Sequence, residues 1–316
     1  MTVSVLHTAD AWWLKTPNGA AKIDTTATTT AALLADQTAF EAAVQAAAAR
    51  SDTVAVDSLK LISPVTRPCR VVAQMTNFES HVRDAGMDPV SIPLTFFRKA
   101  SASINGPFDD IVKPQHVKLL DYEVEIGLVI GRAIPVGTSI SDANLADFIA
   151  GLVVTNDVSA RDIQLPQTQF YEAKSYPTFT PVGPELVLLT ADELKRFGDL
   201  RLRLSVNGDE RQNALVDGDM LYRPLEALQS LTQFQELAPG DLVLTGTPAG
   251  TALSAPPKPV QMIGNLLPPA LKWKMFFTRQ AGNRDYLQGG DIVEASVATD
   301  DGAIDLGTQR AAVRFA

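Results

Sequence analysis

From Pro64 onward the chain is written in short β-rich runs, VEIGLVIG at 124–131, GLVVTND at 151–157, LRLSVNG at 202–208 and DLVLTG at 241–246, separated by Pro, Gly, Asn and Asp. Apolar and β-branched runs bounded by turn formers predict strands. Helical spacing in this half is confined to Ser141–Phe148 and Pro224–Leu231, so a regular alternation of strand and helix is not expected. The turns Ala238-Pro-Gly-Asp241 and Gln288-Gly-Gly-Asp291 each lead into an apolar strand and read as repeated turn chemistry. Residues 255–286, with PPKP, LPPA and KWKMFF, read as a long loop excursion.

Ahead of Pro64 the texture differs. Phe40, Ala43, Val44 and Ala47 fall at helical spacing within Asp36–Arg50, and Trp12 and Trp13 lie between short candidate strands. The expected fold is therefore α+β and predominantly β, with a small N-terminal α/β cap over residues 1–65 and a main domain over 66–316. Apolar residues at 46% and charged residues at 20% suit a globular chain, and no apolar run is long enough to cross a bilayer. The first ten residues carry no basic stretch leading into an apolar segment, so the expected compartment is the cytoplasm. A lone Cys69 offers neither an internal disulfide nor a second thiolate for zinc. With a net charge of -9 and no basic cluster, neither nucleic acid nor a membrane is an expected partner.

The chemistry concentrates at Asp121-Tyr-Glu123-Val-Glu125. Glu123 and Glu125 are two residues apart on a predicted strand, so both side chains leave one face. Like charges on one face of a strand entering an apolar sheet repel each other and lose hydration, which calls for a compensating hard cation bound by oxygens. A solvated edge strand is the competing reading. Asp157, in the polar turn after GLVVTND, can supply a third oxygen ligand from a neighbouring strand end.

DYEVEIGLVIGR at 121–132, VVTNDVSARDIQ at 153–164, KSYPTFTPVGP at 174–184 and PGDLVLTGTPAG at 239–250 resemble, in order and spacing, the hallmark segments of the fumarylacetoacetate hydrolase family, and GDIVEASV at 290–297 continues the likeness. The resemblance implies a mixed β-sandwich or roll in the main domain, a homodimer, and Mg2+, alternatively Mn2+ or Ca2+, on Glu123, Glu125 and Asp157. It implies that Lys174 stabilises developing negative charge. By the same likeness Arg161 and Gln164 orient the substrate, with a structural ion pair to Asp162 or another acid as the alternative for Arg161. Gly246 and Thr247 would offer a backbone N–H and a hydroxyl to the substrate's carboxylate, and Lys99 would stand near the site as a substrate contact or a lid support.

Family hydrolases carry Asn-Tyr-x-x-His-x-x-Glu, whose histidine and glutamate deprotonate water. Here Asn77-Phe-Glu-Ser-His81-Val-Arg-Asp84 keeps the histidine and shortens its partner, so His81 and Asp84 are the expected dyad, with Glu79 competing for Asp84's place. The function implied is metal-dependent hydrolysis of a C–C bond in an acylpyruvate-like or related diketo acid. Decarboxylation, isomerisation or hydration of keto-enol acids is the alternative, and a catalytically lapsed metal- and ligand-binding protein is a third reading.

Overall fold

The computed structural model describes residues 2–47, 52–167, 170–255 and 266–316. A nine-stranded sheet runs, edge to edge, through Gly19–Lys22, Ala11–Thr16, Val3–Thr8, Leu186–Leu188, Ile149–Asn156, Val124–Ile130, Leu242–Leu244, Val71–Gln74 and Phe96–Lys99. Its neighbours are antiparallel except Leu242–Leu244 beside Val71–Gln74. A five-stranded sheet orders Asp209–Leu215, Leu200–Val206, Ile292–Thr299, Asp305–Phe315 and Ile111–Lys113.

The Val124–Ile130 strand is buried throughout, and period-two alternation divides its side chains between two cores. Val124, Ile126, Leu128 and Ile130 pack in one cluster with Leu202, Leu204, Val293 and Val297 of the smaller sheet. On the opposite face Val129 joins Val153 and Leu242, together with Leu33 and Ala43 from the helices Thr30–Ala35 and Gln37–Ala47. Full burial of each such side chain contributes about 1.5–3 kcal/mol, so two cores lock the register of this strand. Gly127 is required by the packing: a Cβ there would lie 2.7 Å from Val153 Cγ2 and 2.8 Å from Leu242 Cδ1.

The first 65 residues extend the main sheet, because Val3–Thr8 pairs antiparallel with Leu186–Leu188, Val3 opposite Leu188 and Val5 opposite Leu186. The two expected turns form alike: Asp241 and Asp291 each take a hydrogen bond on the carboxylate from the residue three before, with Gly240 and Gly290 at φ +82° and +98°. Two expectations are corrected. Ser141–Phe148 holds only a 3-10 turn at Leu145–Asp147, its opening residues being tied instead by Asn144 Oδ1 to the Ser141 N–H. The excursion at 255–286 contains a helix, Pro269–Gln280, whose proline opens the first turn ahead of good helix formers; residues 256–265 lie outside the described residues. Pro224–Leu231 is helical as its spacing requires. Among the described residues no helix is long and apolar enough to cross a membrane.

Candidate active site

Thr155 pairs with Glu125 and Asn156 with Val124 across antiparallel strands, which carries the chain past Asn156 directly beside Glu123. The Asp157 N–H then donates to Glu123 O at 2.8 Å, and the Glu123 N–H donates to Asn156 Oδ1 at 2.9 Å. Carboxylate oxygens of Glu123, Glu125 and Asp157 thereby lie within 4.8 Å of one another, and all three side chains are buried, so the edge-strand reading of the glutamates fails.

Three buried cations face this cluster. Lys174 Nζ donates to Glu123 Oε2 and to Asp157 Oδ2, both at 2.7 Å. Lys99 Nζ donates to Asp157 Oδ1 and, at 2.8 Å, to Phe179 O. Arg161 donates to Glu123 Oε1, and at 2.8 Å to Asp121 Oδ2 and Gln164 Oε1. Asp121, Glu123, Glu125 and Asp157 are four carboxylates against these three cations, and among the described residues Glu125 is the one of the four with no ammonium or guanidinium on it.

The proton affinities follow. Burial works against the charge on Glu123, but Lys174 and Arg161 outweigh it and hold the carboxyl well below the usual range. Glu125 is pushed well above that range by burial and by the charges of Asp157 and Glu123. Burial lowers Lys99 despite Asp157, whereas for Lys174 the carboxylates of Asp157 and Glu123 overcome burial and raise it. An all-oxygen set with one uncompensated carboxylate fits a hard divalent cation such as Mg2+, Mn2+ or Ca2+.

His81, on the short helix Glu79–Asp84, lines a cavity of about 330 Å³ together with Glu123, Glu125, Arg161 and Lys174. Its Nδ1 is buried and has no hydrogen-bond partner among the described residues, and burial lowers its pKa, opposed in part by Glu123. Asp84 makes no hydrogen bond to it; burial and the charge of Asp121 raise the Asp84 carboxyl. Glu79 is engaged by Arg83 Nε at 2.9 Å. Gly246, at φ +85°, gives its N–H to Glu125 Oε2 at 2.7 Å, and a Cβ there would meet Asn77 Cβ at 2.8 Å, so this turn admits only glycine. The Thr247 hydroxyl donates to Val124 O at 2.9 Å and accepts from Gln212 Nε2, so it braces the glutamate strand. Arg161 pairs with Asp121 and Glu123, while Asp162 accepts from the backbone of Lys118 and Leu119.

Two residues beyond the sequence reading help to build the site. Asp121 binds Arg161 and also accepts the N–H groups of Ala252 and Leu253 at 2.8 and 3.1 Å; it continues the alternation of Glu123 and Glu125, a signal present in the motif. Gln212, from the smaller sheet, accepts the Val124 N–H at 3.0 Å and donates to Thr247 Oγ1 and Pro248 O, each at 2.9 Å. Nothing in its local sequence marks it.

A model of the fumarylacetoacetate (FAA) hydrolase C-terminal domain matches residues 70–314. The chain is 34% identical over 222 residues to mitochondrial oxaloacetate tautomerase Fahd2a of Rattus norvegicus, covering 70% of this chain and 69% of that protein. It is 32% identical over 248 residues to 2,4-didehydro-3-deoxy-L-rhamnonate hydrolase of Sphingomonas sp. (strain SKA58), covering 78% and 74%. The crystal structure of a probable 2-hydroxyhepta-2,4-diene-1,7-dioate isomerase from Mycobacterium abscessus superposes with a TM-score of 0.70 at 27% identity, covering 100% of this chain and 99% of that one.

Proposed function

The chain belongs to the fumarylacetoacetate hydrolase family, and from that premise we propose that it is a divalent-metal-dependent enzyme that interconverts the keto and enol forms of a 2-oxo acid, with His81 moving the proton at carbon. One observation carries this reading: His81 lines the cavity, and among the described residues its Nδ1 has no partner and no carboxylate holds the ring. Burial keeps the imidazole neutral near pH 7, as a proton acceptor must be. Water activation for C–C cleavage asks more, because the ring must be oriented toward a water by a second group.

A cation on Glu123, Glu125 and Asp157 would supply polarisation of the acid's carbonyl oxygens. Lys174, fixed between Glu123 and Asp157, places a positive charge beside them that favours the enolate over the ketone. Arg161, gripped by Asp121, presents Gln164 to the cavity and holds Glu123 in its rotamer. The names of the tautomerase and isomerase relatives agree with this chemistry.

Hydrolysis of an acylpyruvate-like acid is the second reading, favoured by the hydrolase relative and by the placement of His81 on the cavity. One experiment addresses both. Oxaloacetate, acylpyruvates and cyclic diketones are incubated with the protein and Mg2+ or Mn2+, and the enol absorbance and the product masses are followed. Accelerated enol decay at unchanged mass supports tautomerisation, and cleavage products support hydrolysis. Metal-dependent binding without either change would leave a lapsed binding protein.

A further inference from the structure

The cavity has two unlike parts. One is the charged cluster; the rest of the wall carries an apolar patch, Met75, Met87, Phe97, Leu165, Phe170 and Leu253, beside His81 and the uncharged Gln74, Thr76, Gln164, Gln167 and Thr247. Phe97 joins the two: Lys174 Nζ lies 5.4 Å from its ring centroid, and its ring meets that of Phe170 edge-on at 5.6 Å. Among the described residues, the only lysine and arginine lining the cavity are Lys174 and Arg161. Both are committed, Lys174 to two carboxylates and Arg161 to Asp121, Glu123 and Gln164. Gln74 opposes a second anion as well: its Nε2 is tied to Tyr222 O at 3.3 Å, and among the described residues its buried Oε1 has no donor.

We propose that the acid bound here has an uncharged, apolar tail: beyond the oxygens that face the carboxylate cluster, its substituent is alkyl or aryl and not a second carboxylate. This rests on the reading of the site as one for 2-oxo acids. A carboxylate placed against thioether and phenyl groups loses its hydration and finds no free lysine or arginine among the described residues, whereas a hydrocarbon tail gains by leaving water. The same wall would serve enolisation and cleavage alike, so the tail is decided separately from the reaction.

The test is calorimetric titration of the Mn2+-loaded protein with a matched pair, hexanoylpyruvate and the acid of equal chain length that ends in a second carboxylate, with enol absorbance followed in parallel. The monoacid should bind at least about 10-fold more tightly, in line with the worth of hydrocarbon in an apolar pocket. Equal affinities, or a preference for the diacid, would overturn the proposal. Binding in the expected order with no effect on the enol would count against the enolisation reading and still support the apolar tail. Met87 is 44% exposed at the mouth, so Met87→Arg should fold; it should narrow the gap by about 10-fold by giving the diacid a counter-charge, while Met87→Leu should preserve it. A gap unchanged by Met87→Arg would remove the tail from this wall.

Discussion

Gly246 donates its backbone N–H to Glu125 Oε2 at 2.7 Å, and among the described residues this is the only hydrogen bond the carboxylate receives. Glu123 and Asp157 each hold two cationic side chains, so the three acids of one cluster are unequal partners in the fold.

That inequality separates two variants. Glu125→Gln should leave the metal-free protein as stable or more stable, because it removes an uncompensated buried charge. Asp157→Asn should destabilise it by about 3–5 kcal/mol, the usual effect of stranding a buried partner, here both Lys99 and Lys174. Urea unfolding in EDTA reads both, and equal losses in the two variants would contradict the assignment of Glu125 as the unneutralised ligand.

The same carboxylate predicts a pH dependence. Its pKa in the folded chain is raised above the usual 4.5, so between that value and the raised one the native state holds a proton that the unfolded state has lost. Stability contributed by this group is therefore fully present below 4.5 and declines as pH rises through the raised value. Metal-free protein should lose stability over that window, Glu125→Gln should flatten the loss, and Mn2+ should reverse it while releasing protons. Calorimetry in two buffers of different ionisation enthalpy would detect the release; its absence would count against Glu125 as a ligand.

Gln212 bonds none of the carboxylates and does not itself line the cavity, yet it holds the Val124 peptide between the two glutamates and the Thr247 turn beside them. Gln212→Leu should weaken Mn2+ binding by about 10- to 100-fold, as loss of outer support around metal ligands commonly does, with the chain still folded. Mn2+ affinity measured by electron paramagnetic resonance is the check, and unchanged affinity would reduce Gln212 to a packing role.

How much of this was legible in the sequence depends on the range of the interactions. The alternation of Glu123 and Glu125 ahead of an apolar run, and a turn acid after the neighbouring strand, are local patterns; the strand register turned them into one cluster. Asp121 obeys the same alternation and was readable. Gln212 acts on Val124 from 88 residues away, and Val3 pairs with Leu188 across most of the chain; no local pattern encodes either, so the first 65 residues read as a separate cap. Lys99 stood near the site by resemblance, but its ion pair with Asp157 depends on burial that only the folded sheet supplies. The helix Pro269–Gln280 was obscured by the prolines before it, which mark its start as much as they mark a loop.

The last prediction separates the reactions open to this site. If His81 moves the proton at carbon, His81→Ala should slow enolisation by about 10²-fold or more, the usual contribution of a positioned base. Asp84 makes no hydrogen bond to the imidazole, so Asp84→Asn should leave enolisation within about 3-fold, a change too small for loss of an orienting partner. Hydrolysis of the same acylpyruvate would behave differently, since a water-activating imidazole needs its carboxylate, and Asp84→Asn should then suppress cleavage alone. The pH profile adds an independent readout. Burial lowers the His81 pKa below its usual 6.5, so in the wild type the acid-side fall of kcat/KM for enolisation should have its midpoint below 6.5, where the base becomes protonated. Steady-state rates for both reactions, taken from pH 5 to 8 on one acylpyruvate, would decide the matter: an equal loss of both in Asp84→Asn would restore the dyad, and no loss of either in His81→Ala would take the histidine out of the chemistry.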